Sequence, residues 1–188
     1  MSRRGSWHAL LAVLVGLPLW VACGQDPAGS SASSPGKAGS GWDVYFSPKG
    51  GCTEAVVAAL DKARTRVLVQ AYSFTSAPIA KALVDAARRG VKVEVLLDKS
   101  QRTEKYSSAD FIIHEGIPTK IDAAHAIAHN KVMVIDGATV LTGSFNFTKA
   151  AEEHNAENLL VIQDPALAEK YAANWNVHAG HSEAYTGK

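Results

Sequence analysis

The sequence predicts an α/β domain over residues 42–188: a mixed, largely parallel β-sheet flanked by helices on both faces. Three observations lead there. From Trp42 onward, short apolar runs alternate with longer stretches of helical period. Near Lys131 the alternation breaks, and two apolar runs flank the turn residues Asp136-Gly137-Ala138. Residues 1–41 follow neither pattern and fall outside the domain.

The elements follow in order. Asp43–Phe46 reads as a strand, ended by Ser47-Pro48-Lys49-Gly50-Gly51. Thr53–Ala63 reads as a helix with Thr53 as its N-cap. Val67–Tyr72 is a strongly apolar strand. Pro78–Arg89 is a helix, with Pro78 in its first turn, Arg88 and Arg89 in its last, and Gly90 as its stop. Val91–Leu97 is a strand running into Asp98, Ala109–His114 a short helix and Thr119–Asp122 a short strand. Lys131–Ile135 and Thr139–Thr142 form a hairpin. Leu159–Ile162 is a further strand and Pro165–Asn176 a terminal helix.

Composition bounds the function. The chain has 188 residues, 47% hydrophobic and 20% charged, which suits one globular domain plus non-globular sequence. A domain of roughly 150 residues buries about two-thirds of its unfolded surface, so it needs no staple. Removing residues 1–22, with Arg3 and Arg4 and no acid, leaves 17 basic against 18 acidic side chains, a net charge of −1. Bulk charge therefore does not draw this protein to polyanions, and any such binding needs a local basic patch. The two cysteines, Cys23 and Cys52, make no disulfide framework. Cys52 reads as a small buried side chain, because no neighbouring base would activate it.

Arg3 and Arg4 precede the apolar run Ala9–Ala22, which is a secretory signal in its proportions and too short to span a bilayer. Leu19-Trp20-Val21-Ala22-Cys23 resembles a bacterial lipobox, which implies acylation of Cys23. Plain cleavage near Ala22 is the competing reading. Residues 24–41 are rich in Gly, Ser, Ala and Pro and read as a flexible tether. The expected organisation is a signal peptide over 1–22, a lipid-attachment cysteine and tether over 23–41, and a catalytic domain over 42–188. The protein is expected to be exported to the periplasm or cell envelope. Gly24 after the cysteine, by resemblance to lipoproteins generally, implies sorting to the outer membrane.

The chemistry concentrates in His129-Asn130-Lys131, Asp136 and Gly143-Ser144-Phe145-Asn146. Alternate residues of a strand share a face, so His129 and Lys131 point the same way. A turn centred on Asp136-Gly137 sets Ser144 opposite His129. One centred on Gly137-Ala138 sets Asn146 opposite His129 and Ser144 opposite Lys131. Either register gathers an imidazole, an ammonium, a hydroxyl and an amide on one face, and a one-residue slip would separate them. Such a set suits phosphoryl transfer. Lys131 and Asn146 can hold non-bridging oxygens, Ser144 can add a hydrogen bond, and His129 can attack phosphorus. Asp136 points to the other face and reads as a turn-shaping residue.

The spacing H-x-K-x4-D-x6-G-S-x-N, with Gly143 among its fixed positions, resembles the signature of the phospholipase D superfamily. Phe46-Ser47-Pro48, Ala71-Tyr72-Ser73-Phe74-Thr75-Ser76, Leu97-Asp98-Lys99-Ser100-Gln101 and Asn155-Ala156-Glu157-Asn158 are similar to that superfamily's small, single-motif bacterial endonucleases. The resemblance covers nearly all of residues 43–178. It implies the phospholipase D-like fold, a phosphohistidine mechanism with no cofactor, and Glu157 as the acceptor that orients His129. It implies cleavage of DNA, with RNA as a further substrate; the alternative is hydrolysis of a phospholipid such as phosphatidylcholine or cardiolipin. Larger members carry two copies of the motif, whereas this chain has one, so a homodimer sharing one composite site is expected. Lys99, Arg102 and Lys105 follow a strand end and are candidates for guiding phosphate. His125 and His129 are spaced for zinc on a helix, but Ala126 stands where zinc hydrolases carry Glu and no third ligand is evident, so no metal is assigned. His125, His154 and His178 read as surface or hydrogen-bonded histidines.

The anchor can be tested by labelling. Radiolabelled palmitate should enter the wild-type chain and be absent from Cys23→Ser; equal labelling of the two would dismiss the lipoprotein reading.

Overall fold

The computed structural model describes residues 41–187. The segments expected to be a signal peptide and tether, with Cys23, lie outside the described residues apart from Gly41. The elements are β1 (Trp42–Ser47), α1 (Cys52–Lys62), β2 (Arg66–Ala71), α2 (Ala77–Arg88), β3 (Lys92–Asp98), a 3-10 turn (Lys99–Arg102), α3 (Ala109–His114), β4 (Thr119–Asp122), β5 (Lys131–Ile135), β6 (Thr139–Gly143), α4 (Lys149–Glu153), β7 (Glu157–Gln163), α5 (Pro165–His181) and β8 (Glu183–Ala184). The described strands form one sheet in the order β1-β7-β6-β5-β2-β3-β4-β8.

The apolar run of β2 makes it the centre of the sheet. Its residues from Val67 to Ala71 are all buried, as a strand covered on both faces requires. One face packs under α1, α2 and α3, where Val56, Leu60, Ile79, Leu83 and Ile112 meet Val67, Val69, Met133 and Leu141. The other packs under α5, where Ala168 and Trp175 meet Leu68, Leu96, Val132 and Val140. The Trp175 indole donates to the Val69 carbonyl at 2.9 Å, so its polar edge is satisfied inside the core.

The sheet is mixed and helix-covered on both faces, but it is not largely parallel. Only β2–β3 and β3–β4 run parallel. The pairings β1–β7, β2–β5, β4–β8, β5–β6 and β6–β7 are antiparallel. The reason lies in the connections. Helical crossovers join β2 to β3 and β3 to β4 and keep those strands parallel, whereas a three-residue turn joins β5 to β6 and the connection carrying α4 returns the chain antiparallel from β6 to β7. Strand β1, followed by a helix, does not join β2; it pairs with β7 at the far edge. Two short elements without a strong periodic signal also appear, α4 and β8.

Helix α1 shows a long-range cap where a local one was expected. Thr53 lies inside the helix, and Gly51, with φ of 83°, holds the N-cap position. The Glu152 carboxylate, arriving from α4, accepts from Gly51 N at 3.2 Å and Thr53 N at 2.7 Å. A negative charge there also complements the helix dipole.

The β5–β6 hairpin adopts neither anticipated register. Ile135 pairs with Thr139 and Val132 with Thr142, so the loop has three residues and centres on Gly137. Asp136 and Gly137 both take positive φ, 54° and 64°. The Asp136 carboxylate makes this affordable, accepting from Arg64 N (2.9 Å), Thr65 N (2.8 Å), Thr65 Oγ1 (2.9 Å) and Arg66 N (3.0 Å). Burial raises its pKa, but the backbone donors of Arg66, Thr65 and Arg64 outweigh that and hold it below the usual carboxylate range. Asp136 thus ties the hairpin tip to the start of β2.

Asp136→Asn should lose on the order of 1–2 kcal/mol in urea unfolding at neutral pH. A lowered carboxyl pKa contributes stability that is present above its unfolded value of about 3.9 and is lost as pH falls through the folded value. The gap between wild type and variant should therefore narrow below about pH 4; a gap independent of pH would contradict this role.

Candidate active site

One rim of the sheet collects the carboxyl ends of β2, β3 and β4 with the first residues of β5 and β7. Ala71 pairs with Lys131, Asp98 with Asp122, Gly143 with Leu159 and Ser47 with Glu157. Open α/β sheets bind ligands outside the carboxyl ends of parallel strands. His129, Lys131, Ser144, Asn146 and Glu157 all belong to this rim or to the residues just beyond it. Asp136 lies at the other end of β5, on the opposite rim.

His129 precedes β5 and its ring packs on Tyr72, with centroids 4.6 Å apart at 56°. The Lys131 ammonium stands 5.0 Å from the same Tyr72 ring and donates to the His129 carbonyl at 2.8 Å. Tyr72 is thus a common wall for both groups. Lys131 is 7% exposed. Burial lowers its pKa, and the Glu157 carboxylate opposes that shift. A buried ammonium with few partners has electrostatic attraction left for an incoming phosphate. Glu157 accepts from Asn155 Nδ2 at 3.2 Å. The structure therefore brings Glu157 into the electrostatic reach of Lys131 and gives its carboxylate a hydrogen bond from Asn155.

The direction of Ser144 and Asn146 is not set by strand alternation, because the β5–β6 ladder stops at Val132–Thr142. Gly143 pairs with Leu159, yet Phe145 N donates to the Asn158 carbonyl at 3.1 Å, so the pairing slips by one residue across Ser144. Gly143 takes φ of 153°, and a Cβ on it would stand 2.3 Å from the Asn158 carbonyl oxygen. Only glycine allows that approach. Phe145 and Phe147 go fully into the core and anchor the segment between them. Ser144 Oγ accepts from Asn158 N at 3.1 Å. The Asn146 amide oxygen is buried without a hydrogen-bond partner. Rotating that amide by half a turn offers its –NH2 instead, a donor for phosphate oxygen.

The loop ahead of His129 is held by residues outside the motif. Asp98, 3% exposed, accepts from Ala128 N at 2.7 Å and from Ser100 N at 2.9 Å. Burial raises the Asp98 pKa, but the hydrogen bonds from Ser100 and Ala128 outweigh it and keep it low. Tyr72 N donates to the Asn130 carbonyl at 2.8 Å. Neither role is written in a motif; the one signal for Asp98 is an acid ending an apolar strand.

The basic loop is engaged in contacts of its own. Lys99 donates to the His125 carbonyl at 3.0 Å, Arg102 pairs with Glu183 at 2.6 Å, and Lys105 stands 5.2 Å from the Tyr106 ring. Cys52 is fully buried, and burial, then nearby Glu152, raises its thiol pKa to about 12. Residues 123–130 form no helix, so His125 and His129 do not form the zinc pair that helical spacing would allow.

This fold and rim define a phospholipase D-like domain. Residues 56–178 match the family described as "Cardiolipin synthase, PLD-like domain", and the chain belongs to that family. Among solved structures it is similar to a phospholipase D family member, Nuc from Salmonella typhimurium. That match has 42% identity and a TM-score of 0.74, covering 77% of this chain and 97% of that one. Among curated relatives, it is 46% identical over 130 residues to the phospholipase D of Rickettsia conorii, covering 69% of this chain and 65% of the relative. It is 32% identical over 122 residues to the mitochondrial cardiolipin hydrolase of Xenopus laevis, covering 59% and 58%. The chain thus spans just under two-thirds of the length of the Rickettsia relatives and a smaller share of the cardiolipin hydrolases.

Proposed function

We propose that this protein is a phosphodiesterase that cuts DNA without sequence preference, and RNA by the same route. The observation that carries the chemistry is the pairing of His129 and Lys131 on one Tyr72 wall at the sheet rim. An imidazole nitrogen of His129 attacks phosphorus and a phosphorus–oxygen bond breaks. Lys131 and Asn146 meet the charge on the non-bridging oxygens, and Ser144 keeps the Asn146 segment against β7 through Asn158. The departing alkoxide takes a proton from a second histidine. That histidine, now neutral, takes a proton from water, which attacks phosphorus and breaks the phosphorus–nitrogen bond. Glu157 is assigned to accept from the other ring nitrogen of His129 and so orient the imidazole, and its charge faces Lys131.

The second histidine is assigned to a second copy of the chain. His125 and His178 are hydrogen-bonded to Asp122, and His154 is exposed beside Glu153. A two-fold axis near the rim would set the partner subunit's His129 across one phosphate, with two copies of Lys131 and Asn146 around it. Such an interface needs about 1,200 Å² or more of buried surface in total.

Nucleic acid is favoured because the similarity to Nuc covers 97% of that chain at 42% identity, and Lys99, Arg102 and Lys105 follow β3 on the same rim. A phospholipid is the second reading. The Rickettsia relatives bear the name phospholipase D, and Ile127, 56% exposed, projects an apolar side chain two residues before His129. Export and an acylated Cys23 in the cell envelope fit either substrate. Among the described residues no helix is long and apolar enough to cross a membrane.

The purified full chain should nick supercoiled plasmid in excess EDTA and leave phosphatidylcholine and cardiolipin vesicles intact; the reverse preference would transfer the assignment to lipid. His129→Ala should lower turnover by several orders of magnitude and Lys131→Ala by about 10²–10³. Abolition of activity by EDTA with rescue by Mg²⁺ would refute the phosphohistidine route.

A mixing experiment addresses the shared site. Wild type co-refolded with excess His129→Ala should lose activity per wild-type chain as mutant rises. Constant activity per wild-type chain, or a fully active monomer in sedimentation, would refute it.

A further inference from the structure

Three histidines converge on one buried acid beyond the active-site residues. Asp122, at the end of β4, is 1% exposed. His125 Nδ1 lies 3.1 Å from both of its oxygens. His178 Nδ1 lies 2.6 Å, and His181 Nε2 3.3 Å, from Asp122 Oδ2. The three rings stand 4.9, 5.2 and 5.3 Å apart, and one ligand atom from each of the four residues falls within 4.8 Å of the others. We propose that Asp122, His125, His178 and His181 bind one divalent transition-metal ion of the zinc class, and that the ion clamps the loop ahead of His129 to the C-terminal end of α5.

The donor set selects the ion. Three imidazoles and one carboxylate suit zinc, cobalt or nickel, whereas calcium and magnesium call for oxygen ligands. Tetrahedral zinc with bonds of about 2.0–2.1 Å keeps its ligand atoms roughly 3.3 Å apart, close to the Asp122–histidine distances above. Drawing the more widely separated ring nitrogens, up to 4.8 Å apart, in toward that spacing would complete the shell. Hydrogen bonding alone accounts less well for the cluster. One carboxylate serves three rings, and its Oδ2 is approached by a ring nitrogen of each, at 3.1, 2.6 and 3.3 Å. An ion lets neutral imidazoles share one positive centre.

The placement gives the ion its task. His178 and His181 are three apart on α5 and share its inner side. His125 sits in the loop between β4 and β5, four residues before His129. Its side chain is 45% exposed, against 15% for His178 and 34% for His181, so an ion has a path in from that side. Asp98 already holds Ala128, and Lys99 holds the His125 carbonyl. Metal would add a third tie, from loop to helix. The ion is structural, takes no part in the phosphoryl step, and stands independently of the phosphodiesterase reading.

The test uses the untagged full chain, stripped with chelator and dialysed. Addition of Co²⁺ should give one equivalent of bound metal and the intense visible absorption of four-coordinate cobalt with nitrogen ligands, and Zn²⁺ should displace it. Zn²⁺ should raise Tm by several degrees. The His178→Ala/His181→Ala pair should lose the cobalt spectrum and bind Zn²⁺ at least about 100-fold more weakly, a loss at or beyond the upper end of that caused by removing an outer-shell partner. His154→Ala, an exposed histidine away from the cluster, should retain both. Circular dichroism verifies that each variant is folded; if the pair does not fold, single His181→Gln is read in its place. A folded wild type with no four-coordinate cobalt spectrum, or unchanged Zn²⁺ affinity in the folded cluster variant, would overturn the proposal.

Discussion

The backbone of the loop before β5 is held by one buried carboxylate, and the rest of the site depends on it. Asp98 ends β3 with its side chain turned inward and takes the Ala128 amide at 2.7 Å. Two residues further, the Asn130 carbonyl accepts from Tyr72 N. His129 lies between these two backbone ties and has little freedom left beyond its side-chain torsions. The nucleophile role proposed for His129 would gain from such a frame, set before substrate arrives. Asp98 can serve because desolvation is offset by the hydrogen bonds from Ser100, side chain and backbone, and from the Ala128 amide, which hold its pKa low and keep it acceptor-only.

The two rims of the sheet divide the work. On the far rim, Asp136 collects four donors and closes the hairpin onto β2. On the near rim, Lys131 is buried with one hydrogen bond, and the Asn146 amide oxygen has none. Unsatisfied polar groups in a folded protein cost stability, and they concentrate where a ligand will satisfy them. Between these rims the residues Val132 to Ile135 of β5 are all buried and apolar, so this part of the strand transmits position without a polar side chain.

Family membership and chemistry are separate matters here. The chain is 42% identical to Nuc and 46% identical over 130 residues to a phospholipase D, so likeness alone does not choose the substrate. A phosphodiester in a nucleic acid and one in a lipid present the same reacting atoms. The surface around the rim differs from side to side: cations follow β3, and exposed Ile127 lies two residues before His129.

The sequence by itself determined whatever rests on local period and fixed spacing. Ala109–His114, Thr119–Asp122 and Lys131–Ile135 coincide with their elements to the residue. Spacing alone also marked His129, Lys131, Ser144, Asn146 and the turn at Asp136. Tertiary structure decided whatever needs a partner distant along the chain. Periodicity says that a strand exists but not which edge it joins, so β1 paired with β7 and the sheet became mostly antiparallel. Thr53 had the right residue type for a cap, yet the Glu152 carboxylate delivered by α4 did the capping. The hairpin register turned on one loop residue, a difference well below what turn composition specifies. The four-ligand cluster draws Asp122 and His125 from one loop and His178 and His181 from a helix more than fifty residues later. No spacing rule links such residues, because the distance between them is set by how α5 packs across the sheet and not by the length of chain between them.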